Sequence, residues 1–184
     1  MISSLFPTYA AALEAAGFGA WHEEASEASP IASLFVVIHV DDQDRKQVLQ
    51  AFDARELAKA IQPEAADFPF ALLQLTMQYP FSVLPACFAD VARLLHRLSS
   101  LLPVGTFLLS EDDRAICFRS MIPSDDPGLS TETLVATIMI IQRFCVDSAG
   151  LIEAVANGQM SLEQALALAT RKKDRKSTRL NSSH

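Results

Sequence analysis

Four histidines and three cysteines are the side chains of this 184-residue chain most readily turned to catalysis or metal binding. His22 precedes Glu23-Glu24 in a polar stretch, His39 closes an apolar run two residues before Asp41, His96 stands beside Arg97, and His184 ends the chain. No His-x-x-x-His or Cys-x-x-Cys pair occurs, so a zinc site would have to be assembled from isolated residues, and no metal is expected. His39 and Asp41 occupy alternate positions, which share a face on a strand, and could orient an acid–base pair with Glu111 and Asp112 of a later polar loop as further carboxylates. That is the alternative of an enzyme or small-molecule binder. The simpler reading is a histidine at the edge of a strand beside a turn, with no catalytic residue and no cofactor.

Other chemistry fails on spacing. Asp41, Asp42 and Asp44 suggest a calcium loop, but counting from Asp42 the sixth position is Gln47 instead of glycine and the twelfth is Asp53 instead of glutamate. The glycines form neither Gly-x-Gly-x-x-Gly nor a phosphate loop ending in Gly-Lys-Ser/Thr. Cys87, Cys117 and Cys145 lie in apolar sequence, and Arg119 and Arg143 are each two residues from a cysteine. They read as buried structural thiols, a usage that suits a reducing compartment and a cytoplasmic location.

Charge narrows the partners. Residues 171–184 hold six of the fifteen basic residues and one of the twenty-two acidic ones, so a net charge of −7 becomes −12 over residues 1–170. A surface of that sign repels phosphate backbones and anionic headgroups, which disfavours nucleic acid and membrane and favours a basic or apolar protein segment. The basic tail has one apolar residue, Leu180, and its last eleven residues resemble translated sequencing-adapter read-through. It is read as a disordered, non-native end, leaving residues 1–170 as a single α+β domain. The N-terminus lacks the basic region of a secretory signal, and the longest unbroken apolar runs, such as Leu34–Ile38, are too short to cross a bilayer.

These residues must be positioned by a mixture of strands and helices. Leu5, Tyr9, Leu13 and Ala16 recur at helical spacing and stop at Gly17 and Gly19. The β-branched run inside Leu34–Val40 predicts a strand, Asp41–Arg45 a turn, and Gln47–Phe52 a second strand. Asp53 and Glu56 suit a capping box for a short helix carrying Leu57, Ala60 and Ile61. Leu73, Leu75 and Met77 alternate with Gln74, Thr76 and Gln78, which predicts a strand with one wet face, ending at Pro80. Beyond Pro85, the residues Phe88, Val91, Leu95, Leu98 and Leu102 fall at intervals of three and four, a seam that packs on a sheet or on a second copy of itself. Gly105–Leu109 and Ala115–Met121 frame a hairpin. Ser130 caps a helix with the stripe Leu134, Ile138, Ile141, Cys145 and Ser148, whose Ile and Met content suggests burial on more than one side. Gly158 stops it, and Ser161-x-x-Gln164 opens a last short helix.

The expected fold is α+β, an antiparallel sheet of about five strands packed by helices in the order α-β-β-β-α-β-β-α. From Leu98-Ser-Ser-Leu-Leu through Gly105-Thr-Phe-Leu-Leu, Glu111–Arg119, Ile122-Pro123 and Leu129-Ser130 to Ala156-Asn-Gly158, about a third of the chain resembles the C-terminal half of the YbjN family. Where many relatives carry Asn near the end of the central helix, this chain has Ser99 and Ser100. That family is similar in fold to class I type III secretion chaperones, which are small, acidic, non-enzymatic and usually dimeric. The resemblance implies a bacterial protein-binding module, homodimeric through the seam Phe88, Val91, Leu95, Leu98 and Leu102, holding an extended or apolar segment of a partner.

Overall fold

Period-two burial along Ala71–Ser82 organises the molecule. In the computed structural model, which describes residues 2–27, 29–62, 64, 70–124 and 128–169, Ala71, Leu73, Leu75, Met77 and Tyr79 turn one way into the core. Their neighbours Leu72, Gln74 and Thr76 face the other side half-buried. The basic tail from residue 170 onward and linker residues 125–127 lie outside the described residues.

Six antiparallel strands make one sheet: β1 (Gly19–Glu23), β2 (Ser33–Val40), β3 (Lys46–Asp53), β4 (Ala71–Ser82), β5 (Thr106–Leu109) and β6 (Ala115–Ser124). Their spatial order is β1-β2-β3-β4-β6-β5. Helices α1 (Phe6–Ala15), α3 (Phe88–Ser99) and α4 (Thr131–Ala156) contact the sheet and α4 touches both of the others, while α2 (Ala54–Ile61) packs beside β3 and β4. One apolar cluster runs from Ile2 to Ala165. The fold is α+β, with a six-strand antiparallel sheet packed by helices.

Local chemistry explains the boundaries. Gly17, at φ +90°, ends α1 as a left-handed residue, and the Phe18 amide donates back to the Leu13 carbonyl. Asp53 caps α2 by accepting from the Arg55 amide, but Glu56 accepts from the Ser3 hydroxyl at 2.8 Å and does not close the capping box expected of it. The box at Ser161 and Gln164 does form, each side chain accepting from the other's backbone amide. Helical residues 162–169 follow it.

Four expectations are corrected. The sheet has six strands, because Gly19 and the polar residues after it, read as a helix stop and a connection, pair with β2 from Gly19 opposite Val37 to Glu23 opposite Ser33. β4 continues past Pro80 to Ser82, tolerating the proline at an irregularity in its pairing with β6 between Gln78 and Ser82. The α4 stripe is buried as expected and Val135, Ala149 and Leu151 beside it pack half-buried against the core, but the far side is open: Met139 and Ile140 are 54% and 43% exposed. Finally, α4 has 26 residues and an 18-residue window of mean hydropathy 1.5, long and apolar enough to cross a membrane by length and composition. Unbroken apolar runs missed this because Gln142, Arg143 and Asp147 interrupt them without reversing the mean. In this fold its stripe Leu134, Ile138, Ile141, Cys145 and Ile152 is buried in the core.

Candidate functional site

A β-bulge re-aims His39. Val37 pairs with Val48 but His39 pairs with Gln47, so Ile38 is an extra residue in β2, and its carbonyl accepts from Gln142 Nε2 of α4 at 2.7 Å. Residues directly opposite in a ladder share a face. Gln47 continues the inward series of Leu49 and Ala51, so the bulge brings His39 to the helix side of the sheet beside it.

There His39, Asp41, Gln47 and Phe81 line a cleft of about 300 Å³ whose far wall is Val146, Ala149, Gly150 and Glu153 of α4. Arg45 closes its end. Its guanidinium donates to both Glu153 oxygens, at 2.8 and 3.0 Å, and through Nε to Asp41 Oδ2 at 2.6 Å, with Cζ 6.0 Å from the Phe81 ring centre. The hydrogen bonds to Glu153 and then Asp41 hold the guanidinium well above its ordinary pKa, against the opposing effect of desolvation. Desolvation pushes the Asp41 carboxyl up, but bonds from the Arg45 amide and side chain and from the Gln43 amide outweigh it and hold the acid below its ordinary range.

Asp41 is thus the staple of its own turn. Both its oxygens are engaged by Gln43 and Arg45, and among the described residues no hydrogen bond joins it to the His39 imidazole. Glu111 and Asp112 sit exposed in the turn between β5 and β6 and do not line the cleft. The four-residue site considered from sequence is therefore split, with His39 and Asp41 at the cleft and the other two outside it. Among the described residues no cluster of three or more His, Cys, Asp or Glu side chains could hold a metal.

The helix seam turns inward. Val91 and Leu95 are buried in this chain's own core, and Phe88, Leu98 and Leu102 pack against it half-buried, Leu102 lying beyond the end of α3. Cys145 is buried, and desolvation pushes its thiol up to about 12, the Tyr79 hydroxyl that donates to the Cys145 carbonyl at 2.9 Å opposing this only in part. Desolvation also raises Cys117, which is half-buried on the opposite sheet face.

That opposite face carries the second feature. Phe35, Val37 and Val48 stand on it half-buried, and Trp21 lies opposite Phe35, stacked on it with ring centres 5.1 Å apart and planes 16° apart. Trp21 is 41% exposed and its indole N–H donates to Glu23 at 3.2 Å. It belongs to β1, an edge strand that among the described residues pairs with β2 alone, leaving the backbone donors and acceptors of its other edge outside the sheet's ladder.

No family model and no curated protein matches the chain. Sequence reasoning missed Trp21, Arg45, Gln47 and Glu153. A polar residue at an inward strand position was the available signal for Gln47, whereas Arg45 and Glu153 are 108 positions apart and carry none.

Proposed function

We propose that this chain is a non-enzymatic protein-binding module that receives an extended, basic and apolar partner segment along the free edge of β1 and over the sheet face beside it. The observation that carries the reading is Trp21, a large aromatic left 41% exposed on an edge strand and stacked on Phe35. An added strand satisfies the edge's backbone groups, and alternate side chains of the incoming segment lie over the aromatic pair. Glu23, Glu24 and Glu27, all exposed, follow the same edge, so basic side chains at the remaining positions meet carboxylates and encounter is steered electrostatically.

The resemblance to the YbjN family and type III secretion chaperones supports the same reading. With β1, α2 and the helical residues 162–169 set aside, the order α1, β2, β3, β4, α3, β5, β6, α4 is the order read from the sequence's own periodicities. Dimerisation through α3 has less surface than the seam spacing implied, because Val91 and Leu95 serve this chain's own core. The proposal therefore places the partner at β1. Selection of a random peptide library on the full chain tests it: enriched peptides alternate apolar residues with Lys or Arg and lose binding to Trp21→Ala, whereas enrichment of acidic peptides, or binding indifferent to Trp21→Ala, contradicts it.

A further inference from the structure

The end of β2 is held in a register that its own side-chain pattern disfavours. Leu34, Val36 and Ile38 alternate inward and are buried, and the same alternation carries Val40 inward next. The bulge at Ile38 interrupts it: His39 takes the helix side opposite Gln47, and Val40, opposite Lys46, is left 43% exposed. Continuing the pairing of Val37 with Val48 without a bulge sets Ile38 opposite Gln47, His39 opposite Lys46 and Val40 opposite Arg45. That register keeps Ile38 facing the core, adds a pair to the ladder and shortens the loop from residues 41–45 to 41–44, a common hairpin length.

Specific contacts hold the observed register against this pattern. The carbonyl of Ile38, the extra residue, accepts from Gln142 Nε2 of α4 at 2.7 Å. Asp41 closes the longer turn twice over: its amide donates to the Arg45 carbonyl at 3.1 Å, and its carboxylate accepts from the Arg45 amide at 2.9 Å and from Nε at 2.6 Å. Opposing them, the cleft offers about 300 Å³ and the apolar surface of Phe81, Val146 and Ala149 on the side to which Val40 turns in the bulge-free register. We infer that the end of the β2–β3 hairpin is a two-register switch: the bulged register, held by Asp41 and Gln142, exchanges with a bulge-free one in which Val40 pairs with Arg45 and fills the cleft while His39 moves to the open face beside Val37. One slip thus couples the cleft to the opposite side of the sheet, and a molecule that occupies the cleft and excludes Val40 favours the bulged register. The switch stands without the binding surface proposed at β1.

Nuclear magnetic resonance on the isotope-labelled full chain tests it, with Asp41→Ala removing the carboxylate that closes the longer turn. The native chain is expected to show cross-strand contacts of His39 with Gln47 and of Val40 with Lys46. In Asp41→Ala these give way to contacts of Val40 with Arg45 and of the Val40 methyls with Val146 and Ala149, while the amides of Leu75 and Met77 keep their protection. Adding Val40→Lys to Asp41→Ala puts a charge where the cleft is apolar and is expected to restore the contact of His39 with Gln47. Saturation transfer on the Val40 methyls of the native chain should find a minor state with the shifts of Asp41→Ala. An Asp41→Ala chain that keeps His39 opposite Gln47, or that loses the pairing of residues 39–46 without gaining the contact of Val40 with Arg45, overturns the second register. A double variant that fails to restore the bulged contacts removes Val40 as its cause, and a native chain without the minor state overturns the exchange.

Discussion

Arg45 and Glu153, 108 positions apart in the chain, are joined by two parallel hydrogen bonds of 2.8 and 3.0 Å that fasten the β2–β3 turn to α4. Both side chains are about a quarter exposed, so the pair owes its importance to geometry more than to burial. Glu153→Ala is expected to release the turn: backbone amides of residues 41–47 exchange with solvent faster, while those of Leu75 and Met77 in the central strand keep their protection. Glu153→Gln, which retains an acceptor, gives a smaller acceleration. Uniform acceleration across the sheet would show that the pair supports the whole fold and not the turn.

Acid should weaken the molecule through Asp53. Burial pushes this carboxyl up, but Arg55, through its side chain and amide, outweighs that and holds it below the ordinary 3.8. A folded pKa below the unfolded one means that the contribution is complete above about pH 4 and is lost as pH falls through the folded value. Urea unfolding at pH 6 and pH 3 should show a larger loss for the native chain than for Asp53→Asn. Asp53→Ala should cost about 1 kcal/mol from the missing helix cap alone.

The α3 seam separates a core from an interface. Leu95 is 2% exposed within one chain, so Leu95→Ala should cost about 2–5 kcal/mol through lost burial and the cavity left behind. If the seam serves the single chain, the thermal midpoint is independent of protein concentration before and after substitution. A midpoint that rises with concentration and a doubled mass by light scattering would instead place a second copy on this helix.

Backbone strain gives an opposed pair of substitutions. Gly105 has φ +79° and an added Cβ would stand 2.4 Å from the Phe118 ring, so Gly105→Ala should destabilise by well over the ~1 kcal/mol that left-handed backbone alone costs. Asp44 at φ +60° holds the left-handed position of the β2–β3 turn without being glycine. Asp44→Gly should be neutral or stabilising by up to ~1 kcal/mol, read from denaturant midpoints.

Periodic burial was the legible part of the sequence. Leu73, Leu75 and Met77 announce β4, and Leu134, Ile138, Ile141, Cys145 and Ser148 announce α4, because one buried face imposes its period on residue type. β1 was hidden because an edge strand with a single buried residue, Ala20, leaves no alternation to read. The cleft was half visible: His39 and Asp41 were marked by their chemistry, but a bulge at Ile38 decides which way His39 faces, and no local pattern encodes that bulge. Its other wall is built from α4, more than a hundred residues away in sequence.

The binding surface at β1 has a built-in reporter, since Trp21 is the one tryptophan of the chain. Titrating a selected basic and apolar peptide into the full chain should shift the tryptophan emission to shorter wavelength, saturably, with the shift lost when the peptide's lysines are replaced by glutamates. Emission that stays unchanged while calorimetry records binding of the same peptide would place the partner elsewhere and contradict the account.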